Sequence, residues 1–193
     1  HSRELAKHNF NLTALDNSNQ MLEYAKKKIR TRNIKLICAD MLNFKSRVRK
    51  YDVIINMTKS INLITTDSDI KKHLKSAYNA LIKGGLYIVD AIHPGYLESD
   101  LRRKFPFYSN IKKARQNLII INNKIQIRKR NSIKIYYLDL IYQNYKKKIW
   151  LKTQISTRTF KQKELIKYFK DAGFKLSALY GGFNMRRKIN DTK

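Results

Sequence analysis

Four short apolar segments in the first half of the chain alternate with segments of helical periodicity, and this alternation limits the folds available to it. The apolar segments cover residues 11–16, 34–41, 51–56 and 81–90. Residues 67–81, between the last two, place their apolar side chains at helical spacing. Strands and helices that alternate in this way predict an α/β fold built around an open sheet. Ligands of such sheets bind beyond the carboxyl ends of the strands.

The same patterns predict which residues are buried. Residues 51–56 form a nearly continuous apolar run, which is typical of a strand covered on both faces. Cys38 falls in an apolar strand and is expected in the core, whereas His73 is expected on a helix surface. Ile70, Leu74, Ala77, Tyr78 and Leu81 are expected to share one buried helix face, and Gly84-Gly85 to end that helix.

A polar residue stands near the carboxyl end of each apolar segment: Asp16, Asp40, Asn56 and Asp90. We expect these residues to lie at one edge of the sheet. A carboxylate at the position of Asp16 can accept both hydroxyl groups of a ribose. Asp16 can equally stabilise the start of the following helix, for which Ser18 is a second candidate cap, and taken alone this structural role is the more common one.

The second half of the chain has a different pattern. Residues 117–156 are rich in Ile and Tyr and alternate with period two, which predicts an antiparallel meander. A helix is predicted over residues 161–172 and a last strand over residues 174–180. We expect a single domain over residues 1–193, in which residues 97–156 form an antiparallel insertion that covers the ligand site.

The net charge is +28, from 42 Lys and Arg against 14 Asp and Glu. One interpretation is an acidic partner such as nucleic acid. The basic clusters recur in predicted helices, loops and strands alike, however, and no nucleic-acid-binding motif accompanies them. This distribution favours a compositional bias, with only weak, non-specific nucleic-acid binding as its consequence.

Several other classes of protein are disfavoured. No apolar stretch approaches the roughly 20 residues that span a bilayer, so we expect no membrane association. The single cysteine, Cys38, excludes an internal disulfide and fits a reducing, cytoplasmic location. No spacing of Cys, His and Asp suggests a metal site.

Three blocks of sequence resemble a known family. The block LKSAYNALIKGGLYIVD, residues 74–90, joins a helix to a strand through Gly-Gly. The block STRTFKQKELIKYFKDAGFKLSALYGGF, residues 156–183, contains Arg158 before the last helix and Gly-Phe after it. Ser60-Ile61-Asn62 follows the third apolar segment. Together with the acids at the first two strand ends, these blocks resemble the class I S-adenosylmethionine-dependent methyltransferases, in the branch that acts on small molecules.

The resemblance implies a Rossmann-like class I methyltransferase sheet with S-adenosylmethionine as the cofactor. Asp16 would bind the ribose with Asn17 beside it, Asp40 and Met41 would bind the adenine, and Asn56 would lie near the transferred methyl group. The family's first strand and glycine-rich loop have no counterpart in the sequence. The resemblance therefore implies an N-terminally truncated sheet, and we expect such a chain to bind the cofactor poorly.

The function that the resemblance implies is methyl transfer to a small-molecule or carrier-bound acceptor. His93, which follows the fourth apolar segment, is the candidate proton acceptor, although a loop histidine with no chemical role is the commoner case. Two other functions stay open. One is a degenerate, non-catalytic fold that binds RNA or a protein through its basic surface. The other is half of a dinucleotide-binding oxidoreductase, against which Gly84-Gly85 and residues 172–174 count.

Overall fold

The structure is a computed structural model that describes residues 1–29, 33–45, 51–94, 119–120, 126–130, 133–143 and 148–181. In chain order its elements are α1 (Ser2–Ala6), β1 (Leu12–Asp16), α2 (Asn19–Lys28), β2 (Ile34–Cys38), β3 (Tyr51–Asn56), a 3₁₀ turn (Ser60–Leu63), α3 (Asp67–Ala80), β4 (Leu81–Val89), β5 (Ile119–Ile120), β6 (Gln126–Arg130), β7 (Ile133–Gln143), β8 (Lys148–Arg158) and α4 (Gln162–Asp171). All four apolar segments of the first half are strands, as predicted.

The chain divides into two compact units. The first unit contains residues 1–54 and 68–86, and the second contains residues 55–67 and 87–193. Strands β3 and β4 pair with each other, and each has residues in both units. The prediction of a single domain with an insertion over residues 97–156 stays a prediction.

In the first unit, β1 and β2 form a parallel pair whose register runs from Leu12 opposite Ile34 to Asp16 opposite Cys38. The side-chain oxygen of Ser18 accepts a hydrogen bond from the backbone N–H of Met21 at 3.3 Å, so Ser18 is the N-cap of α2. The carboxyl ends of the two strands therefore lie side by side, at the start of α2.

Helix α3 provides much of the buried apolar surface of the first unit, including Ile70, Leu74, Ala77 and Ala80. The prediction that Tyr78 shares this face is wrong, since Tyr78 is exposed. At 100° per residue, the position of Tyr78 lies about 80° around the helix axis from that of Ile70. The buried face instead extends in the opposite direction.

His73 lies on that extension of the buried face, and only 2% of its surface is exposed. The prediction that it lies on the helix surface is therefore wrong. Cys38 was expected in the core and is exposed. Among the described residues β2 pairs only with β1, so Cys38 stands on an edge strand. Val53 and Ile55 of β3 are 45% and 43% exposed, so the prediction that β3 is buried on both faces is also wrong.

The connection from α3 to β4 is direct. Helix α3 ends at Ala80 and β4 begins at Leu81, so the prediction that Gly84-Gly85 end the helix is wrong. Both glycines lie within β4, where Gly84 has a φ of +82° that favours glycine. A Cβ on Gly85 would stand 3.1 Å from the carbonyl oxygen of Asp52 in β3. The close approach of β3 therefore explains the second glycine.

The second unit contains an antiparallel sheet in which β7 pairs with β5, β6 and β8. Its longest pairing joins β7 to β8, from Ile133 opposite Arg158 to Gln143 opposite Lys148. This pairing agrees with the period-two pattern of the sequence. Asn122-Asn123 and Asn131-Ser132 interrupt the period-two pattern and predict turns, and both pairs lie outside the described residues. That this sheet is an insertion covering the ligand site stays a prediction.

Helix α4 ends in a Schellman motif. Gly173 has a φ of +99°, and the backbone N–H of Phe174 donates to the carbonyl of Phe169 at 3.0 Å. The rings of Phe169, Phe174 and Tyr87 lie with their centroids 5.5 to 5.7 Å apart. The motif turns the chain back onto α4, and residues 174–179 form no regular strand. The predicted closing strand over residues 174–180 is therefore wrong.

Two kinds of feature are absent from the described part of the chain. No helix in the described ranges combines the length and the apolar character needed to cross a membrane. Within the same residues, His, Cys, Asp and Glu side chains nowhere gather in a group of three that could hold a metal ion.

Candidate cofactor site and other strand ends

The carboxylates of Asp16 and Asp40 lie at adjacent strand ends in the first unit. Asp16 is the last residue of β1 and stands opposite Cys38, and Asp40 follows two residues later. The carbonyl of Asp16 accepts a hydrogen bond from the backbone N–H of Ala39 at 3.1 Å. This bond extends the ladder beyond β2, so the structure brings the two predicted cofactor-binding acids to one edge.

Both carboxylates are held in the same way. One oxygen of Asp16, Oδ1, accepts the backbone N–H of Ser18 at 2.8 Å, and Oδ1 of Asp40 accepts that of Leu42 at 2.9 Å. Each bond closes a local turn around an Asp side chain and fixes its orientation. Among the described residues, the second oxygen of each carboxylate accepts no hydrogen bond. Each acid thus keeps an acceptor for a hydroxyl or amino group of a ligand.

This geometry bears on the alternative role of Asp16. The N-cap of α2 is Ser18, two residues further on, so Asp16 is not the capping residue. The Asp16 side chain supports the cap residue through its backbone N–H while remaining half-buried at the strand end. Asn17, between them, is exposed.

Met41 is half-buried, and its backbone is held by α3. Nδ1 of His73 lies 2.8 Å from the Met41 carbonyl oxygen, and the hydroxyl of Ser76 donates to the carbonyl of Leu42 at 3.0 Å. Because a carbonyl only accepts, Nδ1 carries the hydrogen. Burial lowers the pKa of His73, although the bond to Met41 and the charge of Asp40 act in the opposite direction. We therefore expect a neutral imidazole with its hydrogen on Nδ1 at neutral pH.

The second unit contains the carboxyl ends of β3 and β4. The side-chain nitrogen of Asn56 donates to the hydroxyl of Tyr87 at 3.2 Å, and the carbonyl of Asn56 accepts the backbone N–H of Asp90 at 3.3 Å. Burial raises the pKa of the Tyr87 phenol, which keeps it neutral. Asn56 is thus fixed through both its side chain and its backbone.

The turn after β3 is tied to the end of β4. Oδ1 of Asp90 accepts the backbone N–H of Lys59 at 2.8 Å, and the hydroxyl of Ser60 donates to the carbonyl of Met57 at 3.0 Å. Thr58 and Lys59 have φ values of +64° and +62°. Left-handed conformations in non-glycine residues are uncommon and concentrate at functional sites. Asn56 at the end of β3 and Asp90 directly after β4 therefore contribute to one connected turn.

Asn62 is a buried amide that holds the segment preceding His93. Its nitrogen donates to the carbonyl of Arg158 at 2.7 Å, and its oxygen accepts the backbone N–H of Ile92 at 3.0 Å. The carbonyl of Ile92 in turn accepts the backbone N–H of Phe160 at 3.3 Å. Ile92 is therefore bound on both sides, and the exposed His93 follows it directly.

The buried Arg158 is the centre of a charge cluster that the sequence did not predict. Its Nη1 donates to Asp67 and its Nη2 to Glu164, both at 2.6 Å, and Nη2 also lies 3.2 Å from the hydroxyl of Tyr168. Burial lowers the pKa of Arg158, but these three hydrogen bonds outweigh it and raise the pKa, so the group is charged. Its position before the last helix was noted, but nothing local in the sequence identified its partners.

The predicted site residues therefore form two sets. Asp16, Asn17, Asp40 and Met41 lie in the first unit, where the structure brings both acids to adjacent strand ends. Asn56 and His93 lie in the second unit, at the ends of β3 and β4. His73, Asn62 and the partners of Arg158 were missed, because their contacts join distant parts of the chain.

Comparison with known proteins identifies the fold. Residues 1–85 match a family model described as a methyltransferase domain. Among proteins of curated function, none matches the chain by sequence. The chain resembles a S-adenosylmethionine-dependent methyltransferase from Clostridium acetobutylicum ATCC 824, with a TM-score of 0.70 and 24% identity over 89% of this chain and 67% of that one.

Two further solved structures give the same result. The sugar N-methyltransferase KedS8 from Streptoalloteichus sp ATCC 53650 has a TM-score of 0.68 and 14% identity, over 90% of this chain and 66% of that one. The amino pentose methyltransferase CalS10 from Micromonospora echinaspora has a TM-score of 0.65 and 13% identity, over 96% of this chain and 75% of that one. The chain thus spans about two thirds of the first two structures. At these identities the likeness shows the fold, and the predicted Rossmann-like class I architecture is confirmed.

Proposed function

We propose that this chain, which has the fold of class I methyltransferases, transfers a methyl group from S-adenosylmethionine to a small-molecule acceptor, free or carrier-bound. The observation that carries the proposal is the pair of carboxylates at the ends of β1 and β2. Each has one oxygen fixed by a backbone N–H and a second that accepts no hydrogen bond from the described residues. Two such acceptors match a ligand that offers hydroxyl groups and an amino group.

We propose that Asp16 accepts hydrogen bonds from the ribose hydroxyls, with Asn17 beside it. Asp40 accepts one from the amino group of the adenine, and Met41 lies against the ring. When bound, S-adenosylmethionine would supply an electrophilic methyl group carried on its sulfonium sulfur. The chain's contribution is then mainly to hold that methyl and the nucleophile in line, which accounts for a large part of the rate of such reactions.

We propose roles in methyl transfer for two residues of the second unit, Asn56 and His93. Asn56, which is fixed through Tyr87 and Asp90, borders the transferred methyl group in this proposal. His93 accepts the proton that the acceptor's nitrogen or oxygen loses when the new bond to carbon forms. The hydrogen bonds that Ile92 makes with Asn62 and Phe160 support this assignment, because they fix the backbone next to His93.

The acceptor class is chosen from what related folds bind. KedS8 is a sugar N-methyltransferase and CalS10 an amino pentose methyltransferase. Amino sugars are therefore the first acceptors to test with this chain. The matches to methyltransferases favour methyl transfer over a dinucleotide-binding oxidoreductase. A cytoplasmic location remains a prediction.

The binding test uses S-adenosylhomocysteine, the product of the proposed reaction, and isothermal calorimetry. Asp16→Asn and Asp40→Asn each keep an oxygen for the local turn while removing the charge. We expect each to weaken binding by about 10- to 100-fold, the value of a hydrogen bond to a charged group. The control is Asp52→Asn, an exposed acid near the amino end of β3, which should leave the affinity unchanged.

The activity test follows methyl transfer to amino sugars. His93→Gln should lower kcat by about 100-fold while leaving S-adenosylhomocysteine affinity unchanged. An unchanged kcat would make His93 an ordinary loop residue. Wild-type protein that is folded and does not bind S-adenosylhomocysteine would reject the proposed function as a whole.

The second candidate function is binding of RNA or a protein through the basic surface, and the observation that favours it is the net charge of +28. A protein of this kind would bind RNA with an affinity that falls steeply with salt and would ignore S-adenosylhomocysteine. Calorimetry with both ligands at two salt concentrations therefore separates the two functions.

A further inference from the structure

Helix α3 holds two consecutive carbonyls of the turn that contains Asp40. We call residues 40–43 the adenine turn, after the role proposed for them above. His73 binds the carbonyl of Met41 at 2.8 Å and Ser76 binds that of Leu42 at 3.0 Å. Residues three apart on a helix point to the same side, so one face of α3 makes both bonds.

The adenine turn also has hydrogen bonds of its own. Asp40 accepts the backbone N–H of Leu42 through Oδ1 at 2.9 Å and that of Asn43 through its carbonyl at 3.2 Å. These two bonds shape the turn, but they do not attach it to the rest of the first unit. The bonds from His73 and Ser76 provide that attachment. The direction of the Asp40 carboxylate is therefore set jointly by the turn and by α3.

We infer that His73 and Ser76 are positioning residues that hold the adenine turn, so that Asp40 can distinguish the amino group of an adenine from a carbonyl at the same ring position. This inference rests on the proposed function, because it concerns how that site selects its ligand. Neither side chain is assigned a contact with the ligand. Both act through the backbone of Met41 and Leu42.

The chemistry of His73 fits a positioning role. It is 2% exposed, and a buried polar group that loses its partner costs free energy. Its bond to Met41 is made through Nδ1, which the side-chain amide nitrogen of asparagine can imitate in position. Leucine has a similar volume and cannot donate. The two substitutions therefore separate the hydrogen bond from the packing.

The test compares two ligands that differ at a single ring position. S-adenosylhomocysteine carries an amino group on the base, and S-inosylhomocysteine carries a carbonyl oxygen there, which an aspartate repels. We expect wild-type protein to prefer the first by at least about tenfold, the lower value for a hydrogen bond to a charged group. The measured quantity is the ratio of the two dissociation constants.

Three variants are compared by this ratio. His73→Leu should reduce the preference to about twofold or less, and Ser76→Ala should reduce it in part, since the turn then moves relative to the rest of the site. His73→Asn should restore most of the preference. His8→Leu, which replaces an exposed histidine outside α3, is the control and should keep the wild-type ratio. A general loss of stability would weaken both ligands equally and leave the ratio unchanged.

The outcomes separate this inference from the function on which it rests. If wild-type protein binds neither ligand, the proposed function fails and the inference fails with it. If wild-type protein discriminates and His73→Leu discriminates equally well, the inference alone fails. Should His73→Leu not fold, nitrogen NMR of wild-type protein decides. A hydrogen on Nδ1, with a Met41 amide region that shifts on binding S-adenosylhomocysteine, supports the inference, and a hydrogen on Nε2 alone overturns it.

Discussion

Replacing Arg158 by methionine should destabilise the protein by about 3 kcal/mol. The guanidinium is buried, with 7% of the side chain exposed, and it donates to two carboxylates of different exposure. Glu164 is 32% exposed, so its bond is worth about 2 kcal/mol. Asp67 is 66% exposed, and solvent screening reduces its bond to about 0.5–1 kcal/mol. Arg158 also lies over the rings of Phe160 and Tyr168, at 5.1 and 5.7 Å from their centroids.

The same geometry predicts an order among single substitutions. Glu164→Gln should cost more than Asp67→Asn, because Glu164 is less exposed and its second oxygen accepts the backbone N–H of Lys161 at the start of α4. Arg158→Lys should recover less than half of the loss. The ammonium group of lysine lacks the two separate nitrogens with which the planar guanidinium binds both carboxylates. It also stacks less well on the aromatic rings.

The assay is urea unfolding followed by far-ultraviolet circular dichroism, with the slope of the transition checked for constancy. Lys72→Met is the matched control, because it breaks an exposed ion pair with Asp69 and should change stability by less than about 0.5 kcal/mol. The reasoning is refuted if Arg158→Met lies within about 1 kcal/mol of wild type. It is also refuted if Asp67→Asn proves more costly than Glu164→Gln.

Two further predictions concern buried polar groups. Because burial lowers the pKa of His73 below 6.5, the unfolded chain takes up the proton first, and stability should fall as the pH drops below 6.5. Urea midpoints from about pH 8 to about pH 5 should show a smaller fall for His73→Asn, and equal falls would contradict the assignment. Asn62→Leu removes the hydrogen bonds to the carbonyl of Arg158 and to the backbone N–H of Ile92. It should lower the free energy of unfolding by about 2–4 kcal/mol. Asn79 is exposed, so Asn79→Leu should change stability little in the same assay. An equal cost at both positions would argue against a stabilising role for the two Asn62 hydrogen bonds.

The elements of the fold were largely predictable because their signals are local. These signals involve only residues that are close together in the chain: a period of two or of 3.6 residues, a Ser before a helix, or a Gly after one. Ser18 and Gly173 were found on this basis. Burial was less predictable, because it depends on what packs against a surface. The apolar run that contains Val53 and Ile55 predicted a strand buried on both faces, yet both residues are exposed. Whether another element covers a strand cannot be predicted from the local sequence pattern.

The residues of the candidate site also differ in how far apart in the sequence their contacts are. Asp16 and Asp40 were predictable because parallel strands bring their carboxyl ends to one edge, and the turns that hold them span only two residues. His73 and Asn62 were not. His73 reaches a carbonyl 32 residues away, and Asn62 reaches one 96 residues away. No spacing rule covers such distances, so these residues were found only in the folded structure.

The distribution of acidic residues bears on the choice between the two proposed functions. The chain has three times as many basic as acidic residues, with 42 against 14. Most acids in the described residues nevertheless make a specific contact with a backbone N–H or a basic side chain: Glu4, Asp16, Asp40, Asp67, Asp69, Asp90, Glu164 and Asp171.

The acids in the described residues are few, and most of them make such a contact. A polyanion-binding surface would instead require the bases to gather on one face, whereas lysines here occur in α2, α3 and α4 and in the strands alike. Asp16 and Asp40 then stand out among the remaining acids. Each contacts only a neighbouring backbone N–H in the described residues and keeps one oxygen without a hydrogen bond, at the strand edge where ligands of this fold bind. The few acids therefore favour the cofactor-binding function over the polyanion-binding one.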